Sequence, residues 1–190
     1  MQVVVYALST GGCAVITPCP PLTAAQVQTK DVPAGAASVI VDSSALPTTP
    51  QQEWVISGNA IIAGPAPVAF LVAYAGASWA KLLAAGLIFN VAASGAAVNV
   101  LCDGKNSTRA DLALLTLFGQ ANPTGTKVWV DNGGVSTVLT GAQFVTLATL
   151  AGNWTSDTYP ALQTLLGEIN ASPPTVTTTA QIDAYAWPAS

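Results

Sequence analysis

The chain opens on Val3-Val4-Val5-Tyr6-Ala7-Leu8, a β-branched run followed by Thr10-Gly11-Gly12 and then Cys13-Ala14-Val15-Ile16-Thr17. Two short apolar runs around glycine turn chemistry predict a β-hairpin. Pro18, Pro20 and Pro21 end it, because proline cannot extend a ladder. Thr23-Ala24-Ala25-Gln26 has capping-box spacing and predicts a short helix that closes at Lys30-Asp31-Val32-Pro33. Ser38-Val39-Ile40-Val41-Asp42 reads as a strand. Trp54-Val55-Ile56 and Ala60-Ile61-Ile62 flank Ser57-Gly58-Asn59 as a second hairpin. Residues 1–63 are therefore expected to form a small β-rich module.

Gly64-Pro65-Ala66-Pro67 marks a boundary, and residues 64–190 have a different rhythm. Val68 to Ala85 predicts a helix that is apolar on nearly every face, with Lys81 its single charge. Such a helix is normally packed on several sides, by other helices or by other chains. Leu87–Val91 and Val98–Leu101 predict a hairpin around Ser94-Gly95. Ser107 or Thr108 is the expected cap of the next helix, with Asp111 near its positive end. Its inward stripe is Leu112, Leu115 and Gly119, with Leu114 and Phe118 beside it, and Asn122-Pro123-Thr124-Gly125 ends it. Lys127–Val130 and Val135–Leu139 around Asp131-Asn132-Gly133-Gly134 form the clearest hairpin. Thr140-Gly141-Ala142-Gln143 is another capping box, opening a helix that carries Phe144, Leu147, Leu150 and Ala151. Leu162, Leu165, Leu166 and Ile169 predict a further helix. Thr178-Thr179-Ala180-Gln181 opens a last short one, carrying Ile182 and Tyr185. The fold class expected is α+β: a β-rich module, then helix, hairpin, helix, hairpin and closing helices.

Composition changes what this fold can do. Charged residues are 7% of the 190, against about a quarter in an ordinary soluble domain. Histidine is absent, and the net charge is −4. Lys30, Lys81, Lys105, Arg109 and Lys127 form no basic stripe, which argues against nucleic-acid binding. Mean hydropathy is +0.52, yet the uncharged stretches 54–80 and 82–102 are broken by Gly, Pro, Asn and Ser. Much of their hydropathy is alanine, so an integral membrane protein is not expected. The first residues lack the positive region of a signal peptide.

Candidate chemistry is correspondingly thin. Without histidine there is no Ser/His/Asp or Cys/His relay and no imidazole metal site. Glu53 and Glu168 are the only glutamates and fall in different modules, so paired-carboxylate chemistry would rest on aspartates. No catalytic, cofactor or metal residues are assigned, and the chain is read as non-enzymatic. Asp103–Thr108 has a faint calcium-loop look but lacks the alternating ligands and closing glutamate, and a turn into a helix explains it. Cys13, Cys19 and Cys102 fit no metal spacing. Buried thiols, a Cys13–Cys19 cross-link and an intersubunit disulfide all remain open. Asn106-Ser107-Thr108 and Asn153-Trp154-Thr155 match the glycosylation sequon. Trp54, Trp79, Trp129, Trp154 and Trp187 could stack on sugars, but core or interface anchoring fits their placement better.

One ordered series goes further. Gly86-Leu87, Val100-Leu101-Cys102-Asp103, the leucine-rich helix after Thr108, Val128-Trp129-Val130, the Gly133-Gly134 turn, Leu139–Phe144, and Ile182-Asp183 ahead of Trp187-Pro188 follow one another. Together they resemble a domain of unknown function found in bacteriophage tail-fibre and tail-associated proteins. The resemblance covers residues 84–188, slightly over half the chain. Lys30–Gly35 and Val41–Pro47 are similar to the N-terminal part of small phage tail proteins. Those proteins carry Lys and Arg where this chain has a nearly uncharged helix, which suggests an oligomer seam. The resemblance brings no activity and no functional residues. It implies a virion protein of a tailed phage, at the tail, baseplate or fibre attachment, with other tail or fibre proteins as partners. Obligate interfaces tolerate so charge-poor a composition, and a homo-oligomer related to a trimer or hexamer is expected. Phe70, Leu71, Tyr74 and Trp79 on the central helix, with Trp129, are the expected interface anchors. Alternatives are a tail-fibre assembly chaperone, a receptor- or glycan-binding tip, or a capsid decoration protein.

Overall fold

A computed structural model describes residues 1–7, 13–19, 21–57, 59–92 and 96–189. The turns expected at Thr10-Gly11-Gly12 and Ser94-Gly95, and Leu8, Pro20 and Gly58, lie outside the described residues. The chain is an α+β protein and divides into two compact units. The first is Met1–Ala73 with Ile169–Gln181, and the second is Tyr74–Glu168 with Ile182–Ser190.

In the first unit, β1 (Gln2–Ala7) is the central strand of an antiparallel sheet, between β2 (Cys13–Ile16) and, after α1 (Ala24–Lys30), β3 (Ala36–Val41). Val4 sits opposite Val15 on one side and Val39 on the other. The unbroken Val3-Val4-Val5 run has a physical cause, since both faces of β1 are covered. Val3 and Val5 pack with Val27 of α1, while Val4 packs with Val39, Val41, Trp54 and Ile61. The capping box on α1 forms as the sequence predicts, with Thr23 and Gln26 exchanging side-chain and backbone bonds. Trp54 and Ile61 come from the hairpin β4 (Trp54–Ser57) and β5 (Ala60–Ala63).

The second unit begins within α2 (Val68–Ala85), whose bounds match the sequence reading. Two hairpins follow, β6 (Leu87–Asn90) with β7 (Asn99–Cys102), and β8 (Thr126–Val130) with β9 (Ser136–Thr140). Between them lies α3 (Asn106–Ala121), and after them α4 (Gly141–Asn170). The core joins Phe89, Val100, Leu112, Trp129, Leu139, Phe144 and Trp154. Phe89 meets Trp154 edge to face at 6.1 Å, and Trp129 meets Phe144 at 6.4 Å. α3 and α4 touch at a pair of glycines. A Cβ on Gly119 would collide with the Gly141 carbonyl, and one on Gly141 with the Asn122 carbonyl.

Three sequence expectations are corrected. Neither Ser107 nor Thr108 caps α3, which starts at Asn106 with Lys105 in the cap position and no side-chain cap bond. Asp103 is the cause, because its Oδ1 accepts the Lys105 backbone N–H at 3.1 Å and turns the chain earlier. The two helices expected after Thr140 are one 30-residue helix, α4, running through Pro160. Proline has no N–H to donate one turn back and weakens a helix interior by about 3 kcal/mol. Bonds on both sides of it offset that loss: Trp79 Nε1 donates to Thr158 Oγ1 at 3.2 Å, and Tyr185 OH donates to the Ala161 carbonyl at 2.9 Å. The last helix, α5 (Thr179–Asp183), carries Ile182 but ends before Tyr185.

Candidate functional site

Two of the five expected anchors are covered within their own surroundings. Leu71 is 1% exposed and Trp129 6%, so their apolar surface is already covered within the chain. Trp129 is a core tryptophan whose Nε1 donates to the Leu101 carbonyl at 3.1 Å, tying the second hairpin to the first. Phe70, Tyr74 and Trp79 are half-buried. Tyr74 OH donates to the Asp183 carboxylate, at 3.0 Å to Oδ1 and 3.2 Å to Oδ2. Trp79 lies edge to face with Tyr159, with ring centroids 6.2 Å apart.

Larger exposed apolar groups lie elsewhere in the second unit. On α3, Leu114 and Leu117 are about two-thirds exposed, at 67% and 64%. Both fall outside the inward stripe of Leu112, Leu115 and Gly119, and that misfit with a single apolar face is the signal that identifies them. On the second hairpin Val128 sits directly opposite Val138, and these two with Val130 and Val135 are exposed. Alternation explains Val128, Val130 and Val138, since Trp129 and Leu139 point inward and their neighbours point out, while Val135 lies just ahead of β9. A groove of about 560 Å³ runs between this hairpin and α3, walled by Leu114, Leu115, Val128 and Val130. Asp103 and Lys105 stand at its end and pair at 3.4 Å. Outward aliphatics also mark the other hairpins, at Ile88 on β6 and at Val55 opposite Ile62 on β4 and β5.

α2 itself is covered more thinly than its composition predicts. Leu71 and Ala75 are its fully buried residues, while Val68, Ala69, Ala73, Ala77 and Ala80 are exposed. Among the described residues it is the one helix long and apolar enough, by length and composition, to cross a membrane.

Titratable groups do not converge. Among the described residues no group of three or more His, Cys, Asp or Glu side chains could hold a metal. None of the three cysteines is in a disulfide; Cys19 is exposed and Cys102 buried. Burial pushes the Cys102 thiol up to about 12, with the Asp103 charge adding to the shift. The Asp103–Thr108 segment is a turn into α3, its carboxylate engaged by Lys105. Asp131 Oδ1 likewise accepts the Gly133 and Val135 N–H groups, which is hairpin-turn chemistry.

Compared with known proteins, the chain matches no family model, no curated protein and no solved structure.

Proposed function

We propose that this chain is a structural protein of a tailed-phage virion, resident at the tail, baseplate or fibre attachment and held there by permanent protein–protein contacts. The observation that carries the interface role is the outward aliphatic surface of the second unit: Leu114, Leu117, Val128, Val130, Val135 and Val138 on one helix and the neighbouring hairpin. A free monomer gains nothing from holding so many aliphatics in water, since each buried methylene contributes about 0.8 kcal/mol. A chain with 7% charged residues has little else with which to specify a partner, and obligate interfaces are the apolar kind. The phage setting is supported by the ordered motif series from Gly86 to Pro188 and its resemblance to tail-associated proteins. The half-covered α2 fits a seam between copies better than a lipid-facing span. Its Tyr74 and Trp79 are bonded to Asp183 and Thr158 of polar segments that would have to enter the bilayer with it.

Quantitative mass spectrometry of density-banded phage particles tests the assignment. A fixed copy number in multiples of three or six is expected for a resident subunit of a symmetric tail. Absence from particles despite abundance in the lysate would overturn it and favour the assembly chaperone.

A further inference from the structure

Arg109 is the only arginine in the chain, and among the described residues it has no carboxylate partner although the protein carries nine acidic residues. Its Nη2 donates to the neutral Asn106 Oδ1 at 2.6 Å, and the side chain is otherwise exposed. A guanidinium held this way keeps most of its donor fork available. The fork borders a hollow of about 420 Å³ lined by Trp79, Tyr159, Thr155, Ser156 and Gly104. A second, smaller hollow of about 250 Å³ shares Arg109 and Thr155 with it. The larger hollow is of the size that takes a small ligand.

Trp79 is anchored through its indole N–H to Thr158, and Tyr159 packs against it at a 62° interplanar angle. Gly104 donates its N–H to the Leu83 carbonyl at 2.8 Å, and a Cβ there would come within 2.8 Å of both Leu83 and Thr155 side chains. The close approach of Leu83 and Thr155 at this part of the lining therefore depends on the missing side chain. The pocket thus combines one guanidinium bonded to a neutral amide, two aromatic rings in edge contact and the Ser156 hydroxyl.

From this we infer that the hollow between α2, α3 and α4 binds a carboxylate-bearing sugar ring. The guanidinium takes the carboxylate through paired N–H···O bonds. The slightly positive C–H face of a pyranose packs on the electron-rich aromatic faces. Ser156 adds a hydroxyl to the wall, while the Thr155 hydroxyl donates to the Ala151 and Gly152 carbonyls of its own helix and can only accept. A bare phosphate would leave the aromatic pair unused, and a nucleic-acid strand needs several cations where this pocket offers one. The inference goes beyond the structural role and stands whether or not the chain resides in a virion.

The test is an NMR titration of the full chain with methyl glucuronide and with methyl glucoside, which lacks the carboxylate. The glucuronide is expected to shift the Arg109 side-chain and Trp79 indole signals saturably. Arg109→Gln, and the glucoside with the wild type, should each bind roughly tenfold to a hundredfold more weakly, the loss of a charge-assisted contact. Tyr159→Ala, at a 55% exposed position, should weaken binding without unfolding the chain. No shift with the glucuronide, equal binding of the two sugars, or unchanged affinity in Arg109→Gln would overturn the assignment. So would shifts at Arg109 that inorganic phosphate reproduces while Trp79 stays unmoved.

Discussion

Burial gives the three thiols of this chain different chemistry. Cys19 is exposed, burial raises the Cys13 thiol, and Cys102 is raised further, to about 12. Because thiolate is the reactive form, iodoacetamide at neutral pH should label Cys19 first and spare Cys102 until the second unit unfolds. Peptide mapping that finds Cys102 labelled as fast as Cys19 would refute its burial. The same shift has a stability consequence. Below the ordinary thiol value of 9.0, native and unfolded chains both keep the proton, so Cys102 contributes its full effect. As pH rises from there towards 12, the unfolded chain loses the proton that the native chain retains, and stability falls. Tyr185, raised by burial and then by the Glu168 charge, acts in the same direction. Denaturant midpoints should therefore drop more steeply in alkali for the wild type than for Cys102→Ala. Glu53 is a carboxylate 1% exposed whose Oε1 accepts the Thr179 N–H at 2.6 Å and hydroxyl at 2.5 Å. Glu53→Ala strands both donors and should cost about 2–3 kcal/mol. Glu53→Gln, which keeps an acceptor, should lose clearly less in the same urea titration.

At the scale of elements, identical substitutions on two helices should have opposite signs. Gly76 on α2 has nothing within 4 Å of an added Cβ, so Gly76→Ala should stabilise by about 0.5–1 kcal/mol through helix propensity. Gly119→Ala gains the same propensity but drives a methyl into the Gly141 carbonyl. Overpacking of that kind costs about 1–3 kcal/mol, and thermal melts should show a net loss. A gain in both variants would mean that α3 and α4 can move apart freely. Much of this level was legible beforehand. α2 was bounded correctly because Pro67 and Gly86 punctuate an unbroken alanine-rich run, and the Thr23, Thr140 and Thr178 capping boxes all form. The misses have two causes, tertiary bonds that carry a helix through proline and a local turn that starts one earlier. Pro160 reads as a helix end, yet partners 79 and 185 hold α4 through it. Ser107 and Thr108 read as caps, yet Asp103 turns the chain first. The site was less legible for a related reason. A tryptophan signals that it will be covered without saying by what, so Trp129 read as an interface anchor although the chain's own core encloses it. Arg109 drew no attention because a lone cation acquires meaning only beside Trp79 and Tyr159.

At the scale of the molecule, weak charge and outward aliphatics act together. With a net charge of −4, long-range repulsion between copies is slight, so the apolar faces decide association. Replacing Val128 and Val138 together by threonine keeps β-branching at exposed strand positions and should leave the fold intact. Light scattering should then show a smaller assembled fraction than in wild-type protein, and unchanged assembly would move the interface away from this hairpin. The division of the chain has a consequence of another kind. Ile169–Gln181 completes the unit that starts at Met1, and Ile182–Ser190 returns to the other, with Glu53 waiting for a partner 126 positions later. A chain leaving the ribosome therefore cannot finish one unit before beginning the next, which is the usual order for successive domains. Glu53 must wait without its Thr179 contact while more than a hundred further residues are made, and the second unit closes only after the segment that follows α5.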